Sequence, residues 1–157
     1  MKIKIIVIGK TDKAFLKEGM SIYEKRLKHY IQVEFITIPD IKNARNLPMD
    51  QQREKEGQLI LGKITKDDKV ILLDERGKVF DSFEFSRFIE NNMINSTKSL
   101  CFIVGGPYGF SDEVYSIASS KLSLSKMTFS HQMIRLIFYE QLYRAFTILK
   151  GEPYHHA

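Results

Sequence analysis

Four short apolar runs constrain this chain more than anything else in it: Lys2 to Ile8, Val33 to Ile38, Lys69 to Leu73 and Leu100 to Val104. Each is too short to be a helix and is rich in Ile, Leu, Val or Phe, as strands buried on both faces are. Segments with a helical period lie between them. Leu16, Met20, Tyr23, Leu27 and Tyr30 are spaced 4, 3, 4, 3, and Thr11 or Asp12 would cap the helix they define. A polar, basic connection from Pro39 to Pro48 leads to a charged helix over Met49 to Ile64. Asp74 to Lys78, DERGK, reads as a turn, after which Ser82 caps a helix carrying Phe85, Phe88, Ile89 and Met93. Strands alternating with helices predict an α/β fold: a mainly parallel sheet with helices on both faces and ligands at the carboxyl ends of the strands. With 157 residues and 43% hydrophobic content, one domain over 1–157 accounts for the whole chain.

The fourth apolar run passes directly into Gly105, Gly106, Pro107, Tyr108 and Gly109. Glycines without β-carbons let a flat ligand lie against the main chain, although a plain strand-to-helix turn has the same composition. Ser111 then caps a short helix with Asp112 and Glu113 in its first turn, ending near Ser120. Leu122 to Ser125 is a short strand or loop, and a last helix of about 20 residues begins near His131 and stops before Gly151. Its apolar residues, among them Met133, Leu136, Ile137, Phe138, Leu142 and Phe146, spread beyond a single stripe, which predicts a partner surface and a two-fold homodimer.

Charge and cysteine content narrow the setting. The net charge is +5, and the excess is N-terminal: residues 1–78 hold 17 Lys and Arg against 12 Asp and Glu, while residues 79–157 hold 7 against 7. This permits nucleic-acid binding without requiring it. One cysteine, Cys101, inside an apolar run, makes no intrachain disulfide, so a reduced, cytoplasmic setting is expected. The apolar run after MKIK is shorter than the h-region of a signal peptide, and no stretch approaches the roughly 20 apolar residues of a membrane span, so a soluble protein without a membrane partner is expected.

Several familiar motifs fail on inspection. GQLILGK, Gly57 to Lys63, has phosphate-loop spacing, but Ile64 stands where a magnesium-binding Ser or Thr is needed and the segment is helical in pattern. The first strand leads into GKTDKAFLKEG, which lacks the dinucleotide G-x-G-x-x-G. No Cys and His set has zinc spacing, no G-x-S-x-G elbow occurs, and His155 with His156 lacks a third ligand, so no metal is expected.

The ordered trio of Gly105–Gly109, LSLSKMTFSHQMIR and FYEQLYRAFTILKGEPYHHA, with LDERGK before it, closely resembles the bacterial large-subunit ribosomal RNA methyltransferase H family. That family is a minimal branch of the SPOUT methyltransferases, and the resemblance spans almost the whole chain. It implies a C-terminal segment threaded through a deep trefoil knot, an exception to the general avoidance of knots. It also implies S-adenosylmethionine as methyl donor, a homodimer, and methylation of N3 of a pseudouridine in the helix 69 loop of 23S rRNA on the assembled 70S ribosome. The competing expectation is a noncatalytic ribosome-binding or assembly factor that keeps the knotted fold.

Carried over by motif, the donor site comprises Leu73, Gly105 and the run Leu124, Ser125, Lys126, Met127, Thr128 and Phe129. Backbone groups can match the edge of an adenine there, with apolar side chains on its faces. His155, Tyr154 and Arg135 are expected to be catalytic, with Arg144 and His156 contacting RNA. Other readings stay open: Arg144 pairing with Glu140 four residues earlier, and His131 orienting the last helix. Two departures from the family pattern stand out. Ser130 replaces a proline before His131 and can cap the helix instead, and the chain ends in His156 and Ala157 where relatives carry a basic residue.

Overall fold

The computed structural model describes residues 1–156, and Ala157 lies outside the described residues. Five strands, β1 (Lys2–Ile8), β2 (Val33–Ile38), β3 (Asp68–Val79), β4 (Ser99–Val104) and β5 (Ser120–Ser123), form one sheet in the order β2-β1-β4-β3-β5, with every pairing parallel. Five helices, α1 (Ala14–Leu27), α2 (Met49–Leu61), α3 (Ser82–Ile94), α4 (Asp112–Ile117) and α5 (Met133–Leu149), cover its two faces. A 3₁₀ turn, Ala44–Asn46, interrupts the basic connection before α2.

Alternation along the strands sorts the core into two layers. Ile3, Ile5, Val7 and Phe102 pack with α1, α3 and α5 through Leu27, Phe85, Phe138 and Leu142. Ile6, Ile8, Cys101 and Ile103 pack on the other face with Ile60 of α2 and Val114 of α4. Central β4 is buried at every residue, whereas edge strand β2 is mostly half-exposed, which is why only the latter carries polar alternation. At the amino ends of β1, β3 and β4, Lys4 and Asp68 form a 2.8 Å ion pair with side chains only 4% and 1% exposed. Lys4 also donates to the Lys63 carbonyl, and Asp68 also accepts from the Ser99 hydroxyl and from the Thr65 N–H and hydroxyl. Burial holds the Cys101 thiol up at about 12, so it is a core group rather than a nucleophile.

Several sequence expectations are corrected by packing. DERGK does not form a turn: β3 runs through it to Val79, with a register shift between Leu73 and Lys78 where both pair with Leu122. Gly77 makes this possible, since a β-carbon there would sit 2.6 Å from the Leu122 nitrogen. Helix α1 starts without a side-chain cap, so neither Thr11 nor Asp12 plays that part. In α3 the cap is Asp81 rather than Ser82: its carboxylate accepts from the Glu84 N–H, and the Glu84 carboxylate accepts from the Asp81 N–H, a capping box. Helix α2 ends at Leu61, and β5 begins at Ser120, before the expected LSLS. Helix α5 spans 17 residues, and its apolar side chains are buried or half-buried within the one chain, packed against α1 and α3. Among the described residues no helix is long and apolar enough to cross a membrane.

Candidate functional site

The carboxyl ends of β4, β3 and β5 open into a cleft of about 610 Å³, within the size range of small-molecule sites. Its walls include Leu73, Gly105, Leu124, Ser125, Met127, Thr128 and Phe129, the expected donor residues with the exception of Lys126, which is exposed beside them. Three segments far apart in sequence meet here because parallel strands all point their carboxyl ends the same way.

Each loop has a local cause. Gly106 to Gly109 is a closed turn in which the Gly109 N–H donates to the Gly106 carbonyl at 3.2 Å, with Pro107 at its second position and Gly109 at φ +77°. A β-carbon on Gly105 would come within 3.1 Å of the Phe110 ring, and one on Gly106 would collide with the Glu56 carboxylate. The glycines therefore let the loop lie flat on Phe110 and α2 while its main chain faces the cleft. Glu56 is buried, and burial pushes its carboxyl above the usual range, with Asp40 adding to the rise and a Gln52 hydrogen bond opposing it. In the third loop the Ser125 hydroxyl accepts from the Met127 N–H at 2.9 Å, and Ser130 accepts from the Met133 N–H at 3.2 Å. Ser130 thus bonds the leading N–H of α5 without being its cap, since the N-cap position is Gln132 and carries no side-chain cap bond. His131 and Ile134 complete this wall.

Sequence reasoning missed a polar trio at the cleft. The Tyr115 hydroxyl donates to Asp74 at 2.5 Å and accepts from Arg76 at 2.6 Å. Asp74 also accepts from the Arg76 backbone N–H at 2.8 Å. Burial alone would raise the Asp74 carboxyl, but these donors hold it below its ordinary value. Reading DERGK as a turn hid the trio, because a turn does not aim alternate side chains at a neighbouring helix.

The residues expected to meet RNA fall elsewhere, and none lines the cleft. Arg135 is 2% exposed, and its guanidinium donates to the carbonyls of Ile8, Gly9 and His131 and to the Thr11 hydroxyl. It is a strut between the end of β1 and the start of α5, an internal position away from the cleft rather than the catalytic one expected of it. Arg144 pairs with Glu140, at 3.0 Å from Nε and 2.5 Å from Nη2, and its Nη1 reaches His155 Nδ1 at 3.2 Å. Arginine only donates, so Nδ1 accepts and the neutral ring carries its proton on Nε2. The Tyr154 hydroxyl donates to Glu140 at 3.1 Å, its ring lies under the Arg144 guanidinium, and Phe83 meets the His155 ring edge-on. His156 is exposed beyond this cluster. Tyr154 of the tail bonds Glu140, about 9 Å along α5 from Ile134 at 1.5 Å per residue, and no residue of the tail lines the cleft. Among the described residues no group of acidic, His or Cys side chains has the arrangement of a metal site.

Residues 1–155 match the family model described as predicted SPOUT methyltransferase. The protein named ribosomal RNA large subunit methyltransferase H of Christiangramia forsetii is 60% identical over 156 residues, 99% of each chain. The proteins of the same name from Parabacteroides distasonis and Flavobacterium psychrophilum are 60% and 58% identical over the same share. In solved structures the fold recurs at low identity: a probable methyltransferase from Bordetella pertussis at TM-score 0.55 and 8% identity covers 92% of this chain and 96% of its own. A probable methylase family protein from Haemophilus influenzae gives TM-score 0.52 and 12% identity, over 99% of this chain and 70% of that one. With its three-loop cleft at the carboxyl ends of β3, β4 and β5 and full-length relatives at this identity, the chain belongs to the ribosomal RNA large subunit methyltransferase H family of SPOUT methyltransferases.

Proposed function

We propose that the chain transfers a methyl group from S-adenosylmethionine to N3 of a pseudouridine in the helix 69 loop of 23S rRNA, acting as a cytoplasmic homodimer on the assembled 70S ribosome. The observation that carries this reading is the cleft itself: loops from three strand ends, with bare backbone at Gly105 and apolar side chains at Leu73, Leu124, Met127 and Phe129. That lining suits an adenine, whose edge is matched by backbone groups and whose faces need apolar cover. The donor brings a sulfonium-activated methyl group. Leu73, Gly105, Leu124, Ser125, Met127, Thr128 and Phe129 would hold and orient it, with Lys126 beside them, so that nitrogen, carbon and sulfur could align for in-line displacement in which the N3–C bond forms as the S–C bond breaks. The deep trefoil knot belongs to this same reading and brings the loops of β4 and β5 together.

The N3 proton must leave the base, and it passes to solvent water as the N3 anion forms. With Nδ1 engaged by Arg144, His155 presents Nε2–H, which would donate to a base carbonyl and stabilise the N3 anion rather than take up its proton. Tyr154 and Arg144 hold this ring in place, and His156 extends the RNA-facing tail. Because the tail lies away from the cleft of its own chain, the acceptor site is completed by the second subunit: one holds the donor, the other supplies the tail. Label transfer from S-adenosylmethionine to intact ribosomes, separated subunits and naked rRNA, followed by mapping of the modified nucleotide, tests the proposal. Transfer to a single loop nucleotide of intact ribosomes is expected. Tight ribosome binding without transfer would instead identify a noncatalytic assembly factor.

A further inference from the structure

Around Tyr115, at the mouth of the cleft, two cations share one aromatic ring. The Arg76 guanidinium lies 5.5 Å from the ring centroid and the Lys121 ammonium 5.6 Å. They come from different strands, β3 and β5, and Gly77 is the reason they meet, since its missing β-carbon lets β3 lie directly against the Lys121–Leu122 backbone. Asp74 pairs with the Arg76 Nε at 3.3 Å and offsets one charge from within, leaving the outer side of the guanidinium open. Its side chain is 6% exposed and occupied by the Tyr115 hydroxyl and the Arg76 backbone, whereas the Arg76 side chain is 68% exposed. Nε and Nη2 of Arg76 are directed at Asp74 and Tyr115, while Nη1 makes none of these bonds. Lys78, on the same outer stretch of β3, stacks on Phe80 at 4.8 Å, and Lys126 is exposed on the adjoining cleft loop. The exposed acid of this rim is Glu75.

Charge held on an aromatic ring keeps its stem ordered, so less conformational entropy is lost when an anion arrives. A guanidinium fixed on one side by a buried carboxylate and free on the other is suited to a phosphate oxygen. We infer that Arg76 and Lys121, organised by Asp74 and Tyr115, form a backbone-phosphate site for the acceptor RNA at the mouth of the donor cleft. The inference rests on the proposed function, and it adds to the tail a second RNA contact on the subunit that holds the donor. It positions the nucleotide strand and reads no base.

The test compares wild type with Arg76→Ala, Lys121→Ala and the double variant, with Arg76→Lys as a charge-preserving control. Donor affinity is read by calorimetry, binding to ribosomal particles across about 50 to 200 mM salt, and transfer by KM for the particles. The double variant is expected to keep donor affinity within about twofold and to raise KM about tenfold. It should also flatten the slope of log affinity against log salt by about 1 to 2, with Arg76→Lys recovering part of the loss. A drop in donor affinity at unchanged KM would overturn the inference and give the trio to the donor. An unchanged salt slope in the double variant would overturn it too. Absence of transfer by wild type would sink the methyltransferase reading alone, because the slope comparison on ribosomal particles still decides the phosphate site.

Discussion

Glycine and serine loops shape the proposed donor cleft, whereas interlocked side chains make the tail cluster. At the cleft, Gly105, the Gly106–Gly109 turn and the Ser125 loop present backbone, and their shape is set from behind by Phe110, Glu56 and α2. At the tail, Glu140, Arg144, Tyr154 and His155 satisfy one another on the outer face of α5. The first kind of site is rigid because its loops are pinned at strand ends. The second is held by a hydrogen-bonded network whose members depend on one another. Helix α5 joins them, with His131 and Ile134 at the cleft and Arg144 about 15 Å further along.

Arg135 is where the two regions are expected to fail together. Arg135→Ala leaves the Ile8 and Gly9 carbonyls without their buried donor and frees the foot of α5. The expected cost is about 4 kcal/mol of unfolding free energy, read by urea denaturation, with loss of both donor affinity and transfer at 37 °C. A change below about 1 kcal/mol would show that α5 is seated by its apolar contacts alone. Next in size is Gly105→Val. Its side chain must displace Phe110 or enter the cleft, so donor affinity measured by calorimetry should fall at least about 100-fold, or about 2.7 kcal/mol, with tail-dependent ribosome binding intact. Unchanged affinity in the folded variant would remove Gly105 from the donor site.

The same contrast explains what the sequence makes legible. The strands β1, β2 and β4 and the sheet class were readable because apolar runs of strand length leave strong signals, whereas the cleft loops were picked out by the resemblance to a family, since the glycines alone fit a plain turn equally well. What escaped depends on partners distant in sequence. The extension of β3 through DERGK needs β5 to pair with, and the Asp74–Arg76–Tyr115 trio exists only once Tyr115 of α4 stands beside it. Arg135 is expected at the catalytic site, and nothing local announces that Ile8 and Gly9 will meet it across more than 120 residues.

Asp68 provides a control remote from both regions. Burial would raise its carboxyl, but donors from Lys4, Ser99 and Thr65 hold it down at about 2. A depressed value stabilises the fold fully above the unfolded value near 3.9, and that contribution is lost as pH falls toward about 2. Wild type should therefore lose about 2 kcal/mol more than Asp68→Asn between pH 4 and pH 2, measured by denaturation at each pH. Donor affinity of the folded variant at neutral pH should match wild type. Equal acid slopes in the two proteins would show that another carboxylate governs acid unfolding.

The smallest effect should come from Tyr154→Phe, and it separates the two regions most cleanly. The substitution keeps the ring under Arg144 and against Tyr143, and removes the hydroxyl that bonds Glu140 and approaches Tyr23 at 3.3 Å. Glu140 keeps its Arg144 partner, so no buried charge is stranded and the thermal midpoint should move little. What changes is the restraint on the tail segment that orients His155. Transfer to ribosomes should fall about fivefold, or about 1 kcal/mol, at unchanged donor affinity, because the donor loops do not touch Tyr154. Mixed dimers pairing this variant with Gly105→Val on the other subunit should recover part of wild-type transfer if one subunit holds the donor and the other the tail. No recovery would place the tail's contribution within a single chain, and would require the last residues to move from Glu140 and Arg144 toward their own cleft.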